Sequence, residues 1–146
     1  VFALILAGAA ASQSPDAVKA FEVTAGPAVP GKITELRISV TLEKGYHVYS
    51  AATKDPYIPT KVVVTAPAGY KVGAPKFPVA KTVTIGSEKL QGYDGTFVIT
   101  VPVTVPAKAA GKQTLGVKLH YQACNDTACL PPSDRSAFVR FTVKGK

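Results

Sequence analysis

An all-β antiparallel sandwich, folded as one domain, is the class that this 146-residue sequence predicts. Three observations predict it. Apolar residues recur at every second position in four separate segments, turn signals fall between those segments at short intervals, and past residue 11 no stretch keeps helical spacing. The chain is long enough to bury a real core without a covalent staple. It shows no internal repeat, no low-complexity linker and no second domain.

Taken in chain order, the first element is not part of that fold. Val1 to Ala11 is an unbroken run of apolar and small residues, followed by the polar Ser12-Gln13-Ser14-Pro15-Asp16. It resembles the hydrophobic and cleavage regions of a secretory signal peptide, with Ala9 and Ala11 at the small-residue positions. The run is shorter than the roughly 20 residues that cross a bilayer. Residues 1–11 are therefore read as the remnant of a truncated leader, and residues 12–146 as the domain. Export would place Cys124 and Cys129 in an oxidising space, where a disulfide persists.

The strands follow. Val18 to Thr24 is a short candidate. Leu36, Ile38, Val40 and Leu42 alternate with Glu35, Arg37, Ser39 and Thr41, the pattern of a half-buried strand. Tyr46 to Ser50, Lys61 to Ala66 and Thr82 to Ile85 are shorter candidates. Phe97, Ile99, Val101 and Val103 repeat the alternation, with Pro102 marking an edge or a bulge. Leu115, Val117, Leu119 and Tyr121 do so again, and Val139, Phe141 and Val143 close the chain. Between them lie Gly26-Pro27, Pro30-Gly31, Lys44-Gly45, Asp55-Pro56, Pro67-Ala68-Gly69, Asp94-Gly95 and Ala110-Gly111, all turn signals. Short strands at this spacing suggest an immunoglobulin-like topology. The inter-sheet disulfide of antibody domains is excluded, because both cysteines share one loop and there is no Trp.

Charge excludes more than it assigns. The formal charge of +8 comes from 17 Lys and Arg scattered along the chain, with no basic stripe and no interleaved aromatics. That argues against nucleic acid as a partner. A mildly basic surface can steer acidic proteins or sit near anionic headgroups, and more simply keeps the domain solvated. Gly-rich phosphate loops, nucleophile elbows and paired histidines with metalloprotease spacing are all missing.

Sulfur is confined to Cys124 and Cys129, since the chain has no Met. They lie in the run Tyr121-Gln122-Ala123-Cys124-Asn125-Asp126-Thr127-Ala128-Cys129-Leu130-Pro131-Pro132, in the connection between the last two strands. A bridge between them closes so short a ring that the chain-entropy argument gives only about 2 kcal/mol. A staple would gain more by joining distant strands, which tilts the reading toward a reactive disulfide. A local structural bridge is the alternative. Asn125 and Asp126 favour a tight turn. Asp126 would also disfavour a nearby thiolate, unless it points to solvent and serves the turn alone.

The segment Gln122-x-Cys124-Asn-Asp-x-x-Cys129-x-Pro131-Pro132 resembles the redox segment of the N-terminal periplasmic domain of the thiol:disulfide interchange protein DsbD family. Gly45-Tyr46-His47-Val48-Tyr49-Ser50 and the Gly92-Tyr93-Asp94-Gly95 turn also fit that family, and together these stretches extend the resemblance over residues 16–144. The resemblance implies an immunoglobulin-like sandwich acting as a thiol–disulfide oxidoreductase. Such a carrier takes electrons from a thioredoxin-like donor and passes them to periplasmic thiol proteins through mixed disulfides. It implies Cys129 as the sulfur of the mixed disulfide and Cys124 as the resolving thiol, with His47 and Tyr49 beside them. It also implies a cap loop within residues 87–95, where Tyr93 or Leu90 would cover the sulfurs. No cofactor or metal is required, and a membrane-embedded electron donor is a further partner the family suggests. Two departures stand out: the best-known enterobacterial members place one more residue between the cysteines, and this sequence carries neither the membrane core nor the thioredoxin-like domain of a full-length member, so it is either a separate secreted carrier or a piece of a longer chain. His120, just before the loop, is expected to face solvent.

Two rivals come from other classes. Cys124, Cys129, His47 and His120 could make a Cys₂His₂ metal set if the histidines converge. A non-catalytic immunoglobulin-like interaction module with a structural bridge needs only the sandwich.

Overall fold

The computed structural model describes residues 16–144, so the leader remnant assigned to residues 1–11 lies outside the described residues. The alternating segments form strands, and shorter pieces complete the sheets. In chain order they are β1 (Val18–Ala25), β2 (Ile33–Leu42), β3 (His47–Tyr49), β4 (Lys61–Thr65), β5 (Lys71–Val72), β6 (Lys81–Ile85), β7 (Glu88–Asp94), β8 (Thr96–Thr104), β9 (Gly111–Tyr121), β10 (Ala123–Cys124) and β11 (Ser133–Val143). They form three antiparallel sheets, ordered β1-β2-β8-β5, β10-β3-β7-β6 and β11-β9-β4.

Period-two patterning builds the core. On β2 and β8, and on β9 from Leu115 onward, every second side chain is buried, because one face of each strand turns inward. Leu36 and Ile38 of β2, Ile99 and Val101 of β8, and Leu115 and Leu119 of β9 are essentially without solvent contact. They join Val48 of β3, Tyr93 of β7 and Ala123 of β10 in one continuous cluster, so all three sheets share a single core. Removing a side chain of this size from water stabilises the fold by about 1.5–3 kcal/mol. The architecture is the all-β sandwich that the alternation predicts.

Three local differences have physical causes. Pro102 sits inside β8 opposite Glu35 of β2, but on its other side there is only the two-residue β5. Its carbonyl accepts a hydrogen bond from Gly73 N–H at 2.8 Å, and its ring nitrogen has no proton to return, so the ladder breaks there and resumes only as a single bridge between Thr100 and Lys76. Residues 88–94, expected to hold a turn and a cap loop, form strand β7, paired with both β3 and β6. The chain turns only at Gly95, with φ of 60°. Finally, the last strand, whose alternation in the sequence shows only from Val139, starts as β11 at Ser133, directly after the two prolines, because it pairs along its whole length with β9.

Candidate functional site

The site grows out of the end of β9. After Tyr121 the chain leaves the β11-β9-β4 sheet and pairs, as β10, with β3, setting Ala123 opposite Val48 and Cys124 opposite His47. Leu130 N–H then donates to Ala123 O and Asn125 N–H to Ala128 O, both at 2.9 Å. Cys124 and Cys129 thus face each other as an antiparallel pair, with Cα atoms 3.9 Å apart, and are joined by a disulfide of 2.06 Å. Asn125 ties the tip: its Oδ1 accepts from Thr127 N–H at 3.0 Å, Ala128 N–H at 2.8 Å and Thr127 Oγ1 at 3.1 Å. This side-chain mimic of a backbone turn is what Asn does best.

Burial makes the two sulfurs unequal. Cys124 is 0 % exposed. Cys129, on the outer limb of the hairpin, is exposed. One polar atom reaches both: Tyr49 Oη lies 3.5 Å from Cys124 Sγ and 3.8 Å from Cys129 Sγ, placed so that its O–H can donate to either. Tyr49 is itself buried, and Thr60 Oγ1 fixes its backbone by donating to Tyr49 O at 2.5 Å. Its ring packs at 5.3 Å on that of Tyr57, whose hydroxyl donates to the Glu88 carboxylate. Burial, then the nearby Glu88 charge, push the Tyr49 hydroxyl above the ordinary tyrosine range, so it remains a proton donor at neutral pH.

The structure brings some of the sequence-predicted residues together and separates others. His47 is buried beside Cys124, and its Nε2 has no hydrogen-bond partner among the described residues. It lines a cleft of about 310 Å³ shared with Tyr46, Asp94 and Asp126. Asp126 is exposed at the hairpin tip, where its carbonyl accepts from Gly86 N–H at 3.0 Å. Gly86, at φ of 61°, is the β6–β7 turn, so that turn rests on the cysteine hairpin. Tyr93 does not meet the sulfurs. It stands opposite Val48, on the face of β3 turned away from His47 and Tyr49, and its ring stacks in the core on Phe97 at 5.0 Å and Phe77 at 6.1 Å. Leu90 is half-buried on β7 and shares a cleft of about 400 Å³ with Tyr57 and Lys54. His120 lies elsewhere, half-buried, with Nδ1 2.6 Å from Asp134 Oδ1. The histidines therefore do not converge on the sulfurs, and among the described residues no group of three or more His, Cys, Asp or Glu could hold a metal ion.

Sequence reasoning missed Tyr57, Glu88, Thr60 and Gly86. None lies in a recognisable motif, and only tertiary folding brings Tyr57 and Thr60 against Tyr49, Glu88 against Tyr57 and Gly86 against Asp126 of the hairpin. Chemically, the arrangement offers an S–S bond between an exposed cysteine and an enclosed one, with a hydroxyl donor spanning both sulfurs.

A family model described as thiol:disulfide interchange protein DsbD, N-terminal, matches residues 12–140. Among solved structures, the N-terminal periplasmic domain of ScsB from Proteus mirabilis superposes with a TM-score of 0.58 at 15 % identity, covering 81 % of this chain and 43 % of that one. At that identity the likeness shows the fold, and this chain spans less than half of that domain's length. The reduced N-terminal domain of DsbD from Neisseria meningitidis gives a TM-score of 0.48 at 25 % identity, covering 86 % of this chain and 92 % of that one. No curated protein matches the sequence.

Proposed function

The chain belongs to the family of DsbD N-terminal domains, and from that premise we propose that it is a periplasmic thiol–disulfide exchange carrier working through Cys124 and Cys129. The observation that carries the reading is the asymmetry of the bridge: Cys129 exposed, Cys124 enclosed, Tyr49 Oη within 3.8 Å of both sulfurs. A purely structural bridge has no need of an accessible sulfur paired with an enclosed one.

The exchange proceeds in balanced steps. A thiolate of a thioredoxin-like donor attacks Cys129 Sγ, forming a mixed disulfide. The Cys124–Cys129 bond breaks and its electron pair leaves on Cys124 Sγ, where the Tyr49 O–H is the nearest donor. The donor's second thiol then attacks its own sulfur in the mixed disulfide, becoming oxidised and releasing Cys129 reduced. Electrons leave in reverse: the Cys129 thiolate attacks the disulfide of a periplasmic thiol protein, and Cys124 resolves the mixed disulfide, regenerating the bridge. Two electrons move in each half, and no cofactor takes part. His47 and Asp126, lining the cleft at this end, shape the surface that a partner approaches.

The reduction potential of the pair tests this. The folded protein is equilibrated in graded glutathione and dithiothreitol buffers, alkylated, and its modified thiols counted by mass. A midpoint of about −120 to −270 mV, the span of known exchange proteins, is expected. One below about −300 mV, typical of structural bridges, would replace the carrier with an interaction module.

A further inference from the structure

The exchange chemistry leaves the outer face of the β11-β9-β4 sheet unused. Because Leu115, Val117 and Leu119 of β9 are buried in the core, the alternate residues Lys112, Gly116, Lys118 and His120 lie on the outer side. Register sets Lys61 of β4 beside His120 and Val63 beside Lys118; from β11 it sets Phe138 beside Gly116 and Arg140 beside Thr114. Phe138 is 70 % exposed and Val63 51 %, two apolar side chains left in water on adjoining rows. Both line a shallow groove of about 330 Å³. The Phe138 ring leans over the bare backbone of Gly116, where a Cβ would meet it at 3.6 Å. An exposed apolar patch rimmed by polar groups marks a surface that meets a protein or a membrane.

Charge on this face is almost of one sign. Lys61, Lys112, Lys118 and Arg140 are exposed. The only carboxylate in the three strands, Asp134, is taken by His120 at 2.6 Å, so among the described residues none of the four cations is ion-paired. The outer face of the β1-β2-β8-β5 sheet is different. There Glu22 and Glu35 stand among Arg37, Lys71 and Lys76, and the signs interleave.

We propose that the outer face of β4, β9 and β11 is a docking surface for an anionic lipid bilayer. Lys61, Lys112, Lys118 and Arg140 lie among the headgroup phosphates, while Phe138, with Val63 beside it, dips into the apolar layer beneath them. A bilayer is anionic across its whole surface and apolar just below, which is the complement of scattered cations around a projecting phenyl ring. An acidic protein would be held by fixed polar groups, yet none of the buried polar side chains Thr34, His47, Ser50 and Thr60 lies on this face. The chain leaves the sheet after Tyr121 to pair with β3, so neither cysteine belongs to the face. Lipid docking therefore stands or falls independently of the exchange reading.

The chain has no Trp, so Phe138→Trp puts a single fluorophore at the centre of the face. Ile33→Trp, at a 67 % exposed position of β2, serves as the control. Each oxidised full-length variant is titrated with vesicles of phosphatidylcholine alone and of phosphatidylcholine mixed equally with phosphatidylglycerol, with and without brominated acyl chains. For Phe138→Trp, a blue shift and bromine quenching are expected on the mixed vesicles, with affinity at least about tenfold higher than on phosphatidylcholine. Ile33→Trp should show neither. Adding Lys118→Glu and Arg140→Glu to Phe138→Trp should weaken binding at least about tenfold, as should molar salt. Lys71→Glu with Lys76→Glu, the same charge change on the other sheet, should weaken it far less. Equal affinity for the two vesicles, or equal response from the two fluorophores, is what attachment through the apolar run of residues 1–11 would give, and either overturns the proposal. A shift of the Phe138→Trp emission with polyglutamate but with neither vesicle would give the face to an acidic protein and overturn it too.

Discussion

At the scale of single residues, burial sets the two cysteines apart. Cys124 is enclosed where β10 crosses to β3, whereas Cys129 stands on the outer limb of the hairpin. Thiol reactivity follows access as well as thiolate character. In the Cys124→Ser variant the surviving Cys129 should therefore be alkylated readily and should trap partners as mixed disulfides. In Cys129→Ser the surviving Cys124 should react at least about tenfold more slowly. Mass-resolved alkylation of the two single variants checks this, and equal rates would remove the asymmetry on which the exchange steps depend. The presence of a cysteine pair was legible in the sequence because sulfur occurs nowhere else. Its asymmetry was not, since exposure is set by which limb of the hairpin packs on β3, and six residues of loop do not encode that.

At the scale of elements, the site depends on how closely β3 and β7 approach. Gly92 faces Tyr49 across that pair, and a Cβ there would stand 2.3 Å from Val48 O and 3.1 Å from Val83 Cγ2. A methyl group would have to push the two strands apart, taking Tyr49 and the Cys124 register with them. Gly92→Ala is therefore expected to cost about 1–3 kcal/mol, the usual penalty for overpacking. Urea unfolding of the oxidised protein measures it, and an unchanged midpoint would show that β3 and β7 can separate freely. This same contact explains a limit of sequence reading. β2, β8 and β9 advertise themselves by alternation, because each buries one face and solvates the other. β7 carries Gly92, Tyr93, Asp94 and then Gly95, residues of turn chemistry. It is a strand because Tyr93 fills core space beside Phe97 and because Gly92 admits the neighbouring backbone. Tertiary packing overrides local propensity there, and the stretch expected to hold a cap loop is a strand from Glu88 to Asp94, preceded by the Gly86 turn.

At the scale of the whole molecule, one polar cluster fastens the sheet of β1 to the sheet of β9 and β11. Asp16 Oδ1 accepts from Val18 N–H at 2.9 Å and from the Tyr121 hydroxyl at 2.7 Å, and Arg135 pairs with Oδ2. Arg135 also donates to Val18 O at 3.0 Å, which closes the start of β1 onto β11. Burial opposes ionisation of Asp16. The hydrogen bonds from Val18, Tyr121 and Arg135, with the Arg135 charge, outweigh it and hold the carboxyl below its ordinary 3.8. Tyr121 is pushed from 10.0 up to about 12, first by burial and then by its bond to Asp16. The two shifts bound stability at opposite ends of the pH scale. A carboxyl with a depressed folded pKa contributes stability above its unfolded value, and loses it as pH falls from about 3.8 toward the lower folded value. A phenol with a raised folded pKa contributes fully below about 10 and loses its contribution as pH climbs toward about 12. Asp16→Asn should thus be less stable than the wild type at pH 7, yet should lose less between pH 5 and pH 2. Tyr121→Phe should likewise flatten the alkaline limb between about pH 10 and 12. Urea midpoints measured across that range decide both. Parallel acid limbs for the wild type and Asp16→Asn would mean that other carboxylates govern acid unfolding. Because Tyr121 is the last residue of β9 before the chain crosses to Cys124, loss of this anchor should also loosen the cysteine hairpin, raising the alkylation rate of reduced Cys124 in both variants.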